Sequence, residues 1–171
     1  MSPSLTQQLD LFARRLAPLG LTLILVLLET IRLPAPGIFA VSPAFSIIAI
    51  YFWAVHRPDL MPPVAAFMVG LLLDIVSGAV LGVNALILLL TYGLVVGQRR
   101  LLLDKGFNTL WFGFLFTAIA AGVLIWGLHS LIHGTFLSPG PLVIQLLITA
   151  ILYPPVAWLL GRSTRSVVRE I

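Results

Sequence analysis

The stretch GLLLDIVSGAVLGVNAL, residues 70–86, decides the fold. An apolar run reaches Asp74, breaks over the small pair Ser77-Gly78, and resumes as a second apolar run from Ala79. It reads as the end of one helix and the start of the next, joined by a short loop. Ala66 and Gly70 precede Asp74 at a spacing of four, which puts all three on one helix face. Small residues at that spacing let a neighbouring helix approach closely. Asp74 is therefore expected to point into a helix interface, with Asn84 across the loop and Arg32 on the first helix as its partners. Gly93 and Gly97 form a second small-residue face further along the chain.

The rest of the chain repeats this alternation. Of 171 residues, 60% are hydrophobic and 9% charged, whereas soluble domains carry about 25% charge. A chain with a mean hydropathy of +1.10 has too few polar residues to clothe a soluble globule. A spanning helix needs roughly 20 apolar residues, and six segments qualify, at about 16–33, 38–55, 60–76, 79–97, 108–128 and 139–160. The expected architecture is all-α, one integral membrane six-helix bundle, with cytoplasmic tails at 1–15 and 161–171. The first apolar stretch follows Arg14 and Arg15 and runs into Glu29, Arg32 and Pro34 without a small-residue cleavage site, so it reads as a retained helix. With no cysteine, disulfides and thiolate metal sites are excluded.

The punctuation agrees. Ser42-Pro43, Asp59 ahead of Pro62 and Pro63, and Ser138-Pro139 read as helix starts, where proline's missing N–H has no helical partner to lose. Pro154 and Pro155 fall inside the sixth segment and should kink it, freeing the carbonyls of Ala150 and Ile151. Six spans put both termini on one side. That side holds nine of the ten cations (Arg14, Arg15, Arg57, Arg99, Arg100, Lys105, Arg162, Arg165 and Arg169), leaving Arg32 alone opposite. By the positive-inside rule both termini are cytoplasmic. The basic balance thus reads as topology and contact with anionic lipid, not as a nucleic-acid site. Trp53, Trp111 and Trp158 fall at inner helix ends and Trp126 near an outer one, the usual place of interfacial anchors.

Charges inside a bilayer are expensive, roughly 2.5–3.5 kcal/mol each, so the few retained here are informative. Glu29 and Arg32, three apart, share a face near the end of the first helix. Asp74 lies about 21 Å from the inner end of its helix at the usual rise. Asn84 comes early in the fourth helix and Gln145 early in the sixth. All are expected in one polar layer in the outer half of the membrane, with His129 and His133 at that level or above. The layer reads either as buried pairing that sets helix register or as the lining of a cavity or docking face. A metal site from Asp74, Glu29 and His129 lacks ligand spacing. A hydrolase built on Ser130 and His129 lacks a supporting acid. No nucleophile elbow, P-loop, zinc-protease or dinucleotide motif occurs. The chain is read as non-enzymatic, without a cofactor.

The opening stretch resembles the signature of the MreD family, in which a Gly-Leu-Leu-x-Asp run ends one helix and Leu-Gly-x-x-Ala-Leu opens the next. Here Gly70, Asp74 and Gly82 stand at the motif positions, and Asn84 stands where relatives often carry histidine. The upstream run YFWAVHRPD, residues 51–59, is also similar to the family's aromatic helix end and Arg-Pro loop. The resemblance implies a scaffold of the rod-shape and cell-wall elongation machinery in the bacterial inner membrane. It implies MreC as direct partner, and MreB, RodA and its transpeptidase directly or through MreC. The family fold is similar to the substrate-binding subunits of energy-coupling-factor transporters. A small-solute-binding membrane subunit of a transporter is therefore the alternative reading.

Overall fold

The computed structural model describes residues 5–31, 41–103, 106–134 and 138–168. Among them are six helices and no strand: α1 (Leu5–Thr30), α2 (Phe45–His56), α3 (Pro63–Ser77), α4 (Val83–Leu103), α5 (Phe107–His133) and α6 (Gly140–Val168). Helix continues into both stretches expected as tails, since α1 begins at Leu5 and α6 ends at Val168.

The helices are not six equal spans. Among the described residues three stretches are long and apolar enough to cross a membrane: Val83–Leu102, Asn108–Ile132 and Gly140–Arg162. The apolar parts of the others, Pro18–Thr30, Phe45–His56 and Pro63–Ser77, are shorter. Local chemistry sets these limits. Residues 41–44, including Pro43, are not helical, and α2 starts only at Phe45, with Ala44 rather than Ser42 as its N-cap. Pro62 and Pro63 open α3, and Gly78, in the left-handed region at φ 69°, closes it. With 12 residues, α2 is about 18 Å long at the usual rise, well short of a ~30 Å hydrocarbon core.

The core is built around this short helix. Ten of the 12 residues of α2 are buried, and α2 touches all five other helices. Its sequence, FSIIAIYFWAVH, has no polar face to offer solvent, the mark of an interior helix. Tyr51, Phe114 of α5 and Tyr153 of α6 form an aromatic cluster. Phe114 and Tyr153 stack at 4.2 Å, and Tyr51 meets both edge-on at 5.3 and 5.7 Å. The Tyr51 hydroxyl donates to the Leu110 carbonyl at 2.8 Å. Trp53, expected as an interfacial anchor, is instead 1% exposed, and its indole N–H donates to Thr22 Oγ1 at 3.1 Å. Trp158 is exposed and lies beneath the Arg162 guanidinium, 5.6 Å from ring centroid to Cζ.

Helix α6 runs through Pro154 and Pro155. The Ala150 carbonyl, deprived of a helical donor by Pro154, receives the Trp111 indole N–H at 3.4 Å. At the far end of α2 the Val55 carbonyl accepts Arg99 Nε at 2.8 Å. An apolar side chain faces outward at nearly every turn of the long helices: Phe112, Phe116, Ile119 and Val123 on α5, and Val143, Leu147 and Ile151 on α6.

Candidate functional site

The ends of α1 and α3 meet the starts of α2, α4 and α6 at one end of the molecule. A helix start leaves backbone N–H groups without intrahelical partners. In a dry environment each must be satisfied by another part of the protein. Two carboxylates from other helices do this work here.

Asp74 serves the start of α4. Its Oδ2 accepts the Gly82 N–H at 2.8 Å and the Ala85 N–H at 3.4 Å. Its Oδ1 accepts both the backbone N–H and the side-chain amide of Asn84, at 3.1 and 2.9 Å. The side chain is fully buried, and its negative charge lies where the α4 dipole is positive. The chain can turn back so sharply because Gly78 and Gly82 take φ values of 69° and 95°, which side-chain-bearing residues rarely adopt. The carbonyl of Asp74 accepts the Ala79 N–H at 3.1 Å. Beneath the turn, a Cβ on Gly70 would stand 2.6 Å from Ala85 N and 2.8 Å from the Asn84 carbonyl oxygen. Ala66, one turn earlier, is fully buried.

Glu29 serves the start of α2. Its Oε2 accepts the Ser46 N–H at 2.8 Å. Thr149 of α6 completes the cap, because its Oγ1 accepts the Ala44 N–H at 3.0 Å and donates to the Gln145 carbonyl at 2.6 Å. The Gln145 side chain donates through Nε2 to the Ser42 carbonyl at 3.0 Å.

Between these two caps lies a cavity of about 560 Å³, lined by Glu29, Thr30, Ser42, Leu73, Val76, Ser77, Asn84 and Gln145. The amide NH₂ of Asn84 faces the Asp74 carboxylate and that of Gln145 faces a carbonyl, so both nitrogens are bound to groups that only accept. Thr30 and Ser77 donate their hydroxyls to the carbonyls of Leu27 and Leu73, at 2.7 and 2.6 Å. What remains is mixed: the Glu29 carboxylate and the two amide carbonyls accept, and the second N–H of each amide donates.

Of the residues singled out in the sequence, Glu29, Asn84 and Gln145 are brought to one cavity and Asp74 directly behind it. Arg32 and Lys105 lie outside the described residues. Gly93 and Gly97 are exposed, with open space where a Cβ would stand, so none of the described residues packs on them. His129 is half-buried in α5 and makes a contact of its own. Ser130 Oγ is buried without a hydrogen-bond partner. No group of three or more His, Cys, Asp or Glu that could hold a metal occurs among the described residues. The sequence reading took Ser42 only as a helix start and missed Ser46 and Thr149; for Thr149 the signal was its position four residues after Gln145, on the same face of α6.

Fold and site together define an all-helical protein with segments of membrane-crossing length, whose polar groups are gathered at helix starts at one end. The family of the rod shape-determining protein MreD matches residues 13–162, and the chain belongs to that family. The family has a role in rod-shape determination. No curated protein and no solved structure matches the chain.

Proposed function

We propose that the chain is a non-enzymatic scaffold of the rod-shape and cell-wall elongation complex. In this reading it is a multi-pass protein of the bacterial inner membrane with both termini cytoplasmic, its bundle resembling the substrate-binding subunits of energy-coupling-factor transporters. It binds MreC directly, and helps link MreB to RodA and its transpeptidase. The observation that carries the reading is the family match over residues 13–162. The outward apolar side chains of α5 and α6 support the membrane setting, because soluble monomers rarely expose such continuous apolar surface.

One face of α4 suits a partner helix. Leu86, Leu90, Gly93 and Gly97 follow one another at spacings of three and four and are all exposed, so a second helix can come close over the glycines. At the opposite end from the cavity, Arg100 and Arg162 are exposed, Arg162 over the Trp158 ring, on the side where anionic lipid would meet them, whereas Arg99 is half-buried and engaged with Val55. Co-purification from detergent is the test. The wild-type chain recovers MreC, and Gly93→Leu with Gly97→Leu loses MreC while the chain alone unfolds as before. Failure of the wild type to recover MreC overturns the reading. A carboxyl-terminal tag found in the periplasm overturns the topology.

A further inference from the structure

The six helices do not stop at one level at the polar end. A Cβ on Gly122 of α5 would stand 3.1 Å from Leu142 Cδ1 and 3.3 Å from Leu146 Cδ2, so Gly122 is level with the turn of α6 that holds Gln145. Gln145 bonds Ser42, and Thr149, one turn below, caps Ala44. The cavity and the start of α2 therefore lie at or below the Gly122 level. Beyond it α5 continues to His133, about 16 Å further at the usual rise. Val123, Leu124, Leu131 and Ile132 are exposed along that length. The apolar span Asn108–Ile132 has 25 residues, about 37 Å against a hydrocarbon core of ~30 Å. Even with all of the excess projecting outward, the hydrocarbon boundary lies about 8 Å beyond Gly122. The α6 span gives the same depth, because it opens at Gly140, about 7 Å beyond Gln145.

Residues 41–44 are thus non-helical backbone at a depth that lipid tails occupy around α5 and α6. Such backbone persists where protein buries it or where it faces a water-filled space. Pro43 and Ala44 are buried, whereas Ser42 is half-buried and lines the cavity. The lining both accepts, through Glu29 and the amide carbonyls, and donates, through the second N–H of Asn84 and of Gln145. Water answers both kinds of group, and acyl tails answer neither. We propose that the cavity is a water-filled recess in the outer leaflet, open to the outer surface and reaching Ser42 and Gln145 inside the hydrocarbon layer. It admits small polar solutes to a depth from which lipid excludes them around α5 and α6. The inference rests on the multi-pass reading above.

The chain has no cysteine, so single cysteines report position without background. The probe is 2-(trimethylammonium)ethyl methanethiosulfonate, which does not cross membranes and reacts with ionised thiols, added to spheroplasts that express the full chain. Ser42→Cys and Thr30→Cys read the cavity. Val123→Cys and Leu147→Cys, both exposed, read lipid at the same level. Ser138→Cys reads the outer surface and Arg100→Cys the inner one. Ser42→Cys and Thr30→Cys are expected to react within roughly tenfold of the Ser138→Cys rate. Val123→Cys and Leu147→Cys should react roughly a hundredfold more slowly or worse, because apolar surroundings keep a thiol protonated. Arg100→Cys should react only after lysis. Should Ser42→Cys not fold, Thr30→Cys decides alone. Cavity positions as slow as Val123→Cys and Leu147→Cys overturn the proposal. Equally fast reaction at all four positions also overturns it, by removing hydrocarbon from this level. Reaction of Ser138→Cys only after lysis sinks the topology instead, while rates after lysis still decide whether the cavity is wet.

Discussion

The turn between α3 and α4 and the junction of α1 with α2 solve one problem in two ways. Each must quieten a helix start inside the protein, and each uses a carboxylate from the preceding helix. At the α3–α4 turn the solution is local and closed. Asp74 lies 8–11 residues before its donors, takes four N–H groups and is sealed from solvent. At the start of α2 it is assembled from two other helices: Glu29 of α1 takes one N–H, Thr149 of α6 takes another, and a cavity remains beside them. The lesson is that one task, capping a buried helix start, can be met within a single turn or shared between helices far apart in sequence.

Matched substitutions test that contrast. The largest effect is expected from Asp74→Asn. It places an NH₂ among groups that already donate, and leaving buried donors unanswered costs about 1–3 kcal/mol each. Unfolding in mixed micelles should show a loss of about 3 kcal/mol. Gly70→Ala comes next, because the added methyl meets the α4 backbone, which cannot swing aside; overpacking of this kind costs about 1–3 kcal/mol. Thr149→Val orphans the Ala44 N–H and should cost about 1 kcal/mol in the same assay. The smallest loss belongs to Glu29→Gln, about 0.5 kcal/mol, since a neutral amide oxygen still accepts the Ser46 N–H. If Glu29→Gln proves as damaging as Asp74→Asn, the two carboxylates are equivalent frame elements and the contrast collapses. If Gly70→Ala is silent, the α3–α4 crossing is looser than described.

Much of the closed region was legible in the sequence. Ala66, Gly70, Asp74 and Asn84 sit within 19 residues, so helical periodicity and a short loop bring them together. The helix starts marked by Pro62-Pro63 and Ser138-Pro139 were legible because proline acts locally. The assembled region was far less so. That Gln145 and Glu29 share a layer follows from counting along spans, but what they bond is backbone at Ser42 and Ser46. No side-chain pattern announces a free backbone group. Trp53 was misread for a related reason. Its position near a helix end suggests an interface, yet burial is decided by how α2 is surrounded, and Thr22 of α1 provides the hidden partner for its N–H. Gly93 and Gly97 show the reverse: helical spacing places them on one face, and nothing in one chain's pattern says whether that face meets its own helices or another molecule.

The enclosure of α2 also has a consequence for biosynthesis. The groups that complete its start, Gln145 and Thr149, lie 103 and 105 residues downstream of their partners. At bacterial elongation speeds the ribosome needs roughly ten seconds to deliver them. Throughout that interval the nascent chain carries an apolar helix, too short to cross the bilayer, with unanswered backbone groups at one end. A ribosome that stops before the sixth helix leaves the start of α2 permanently without these two partners.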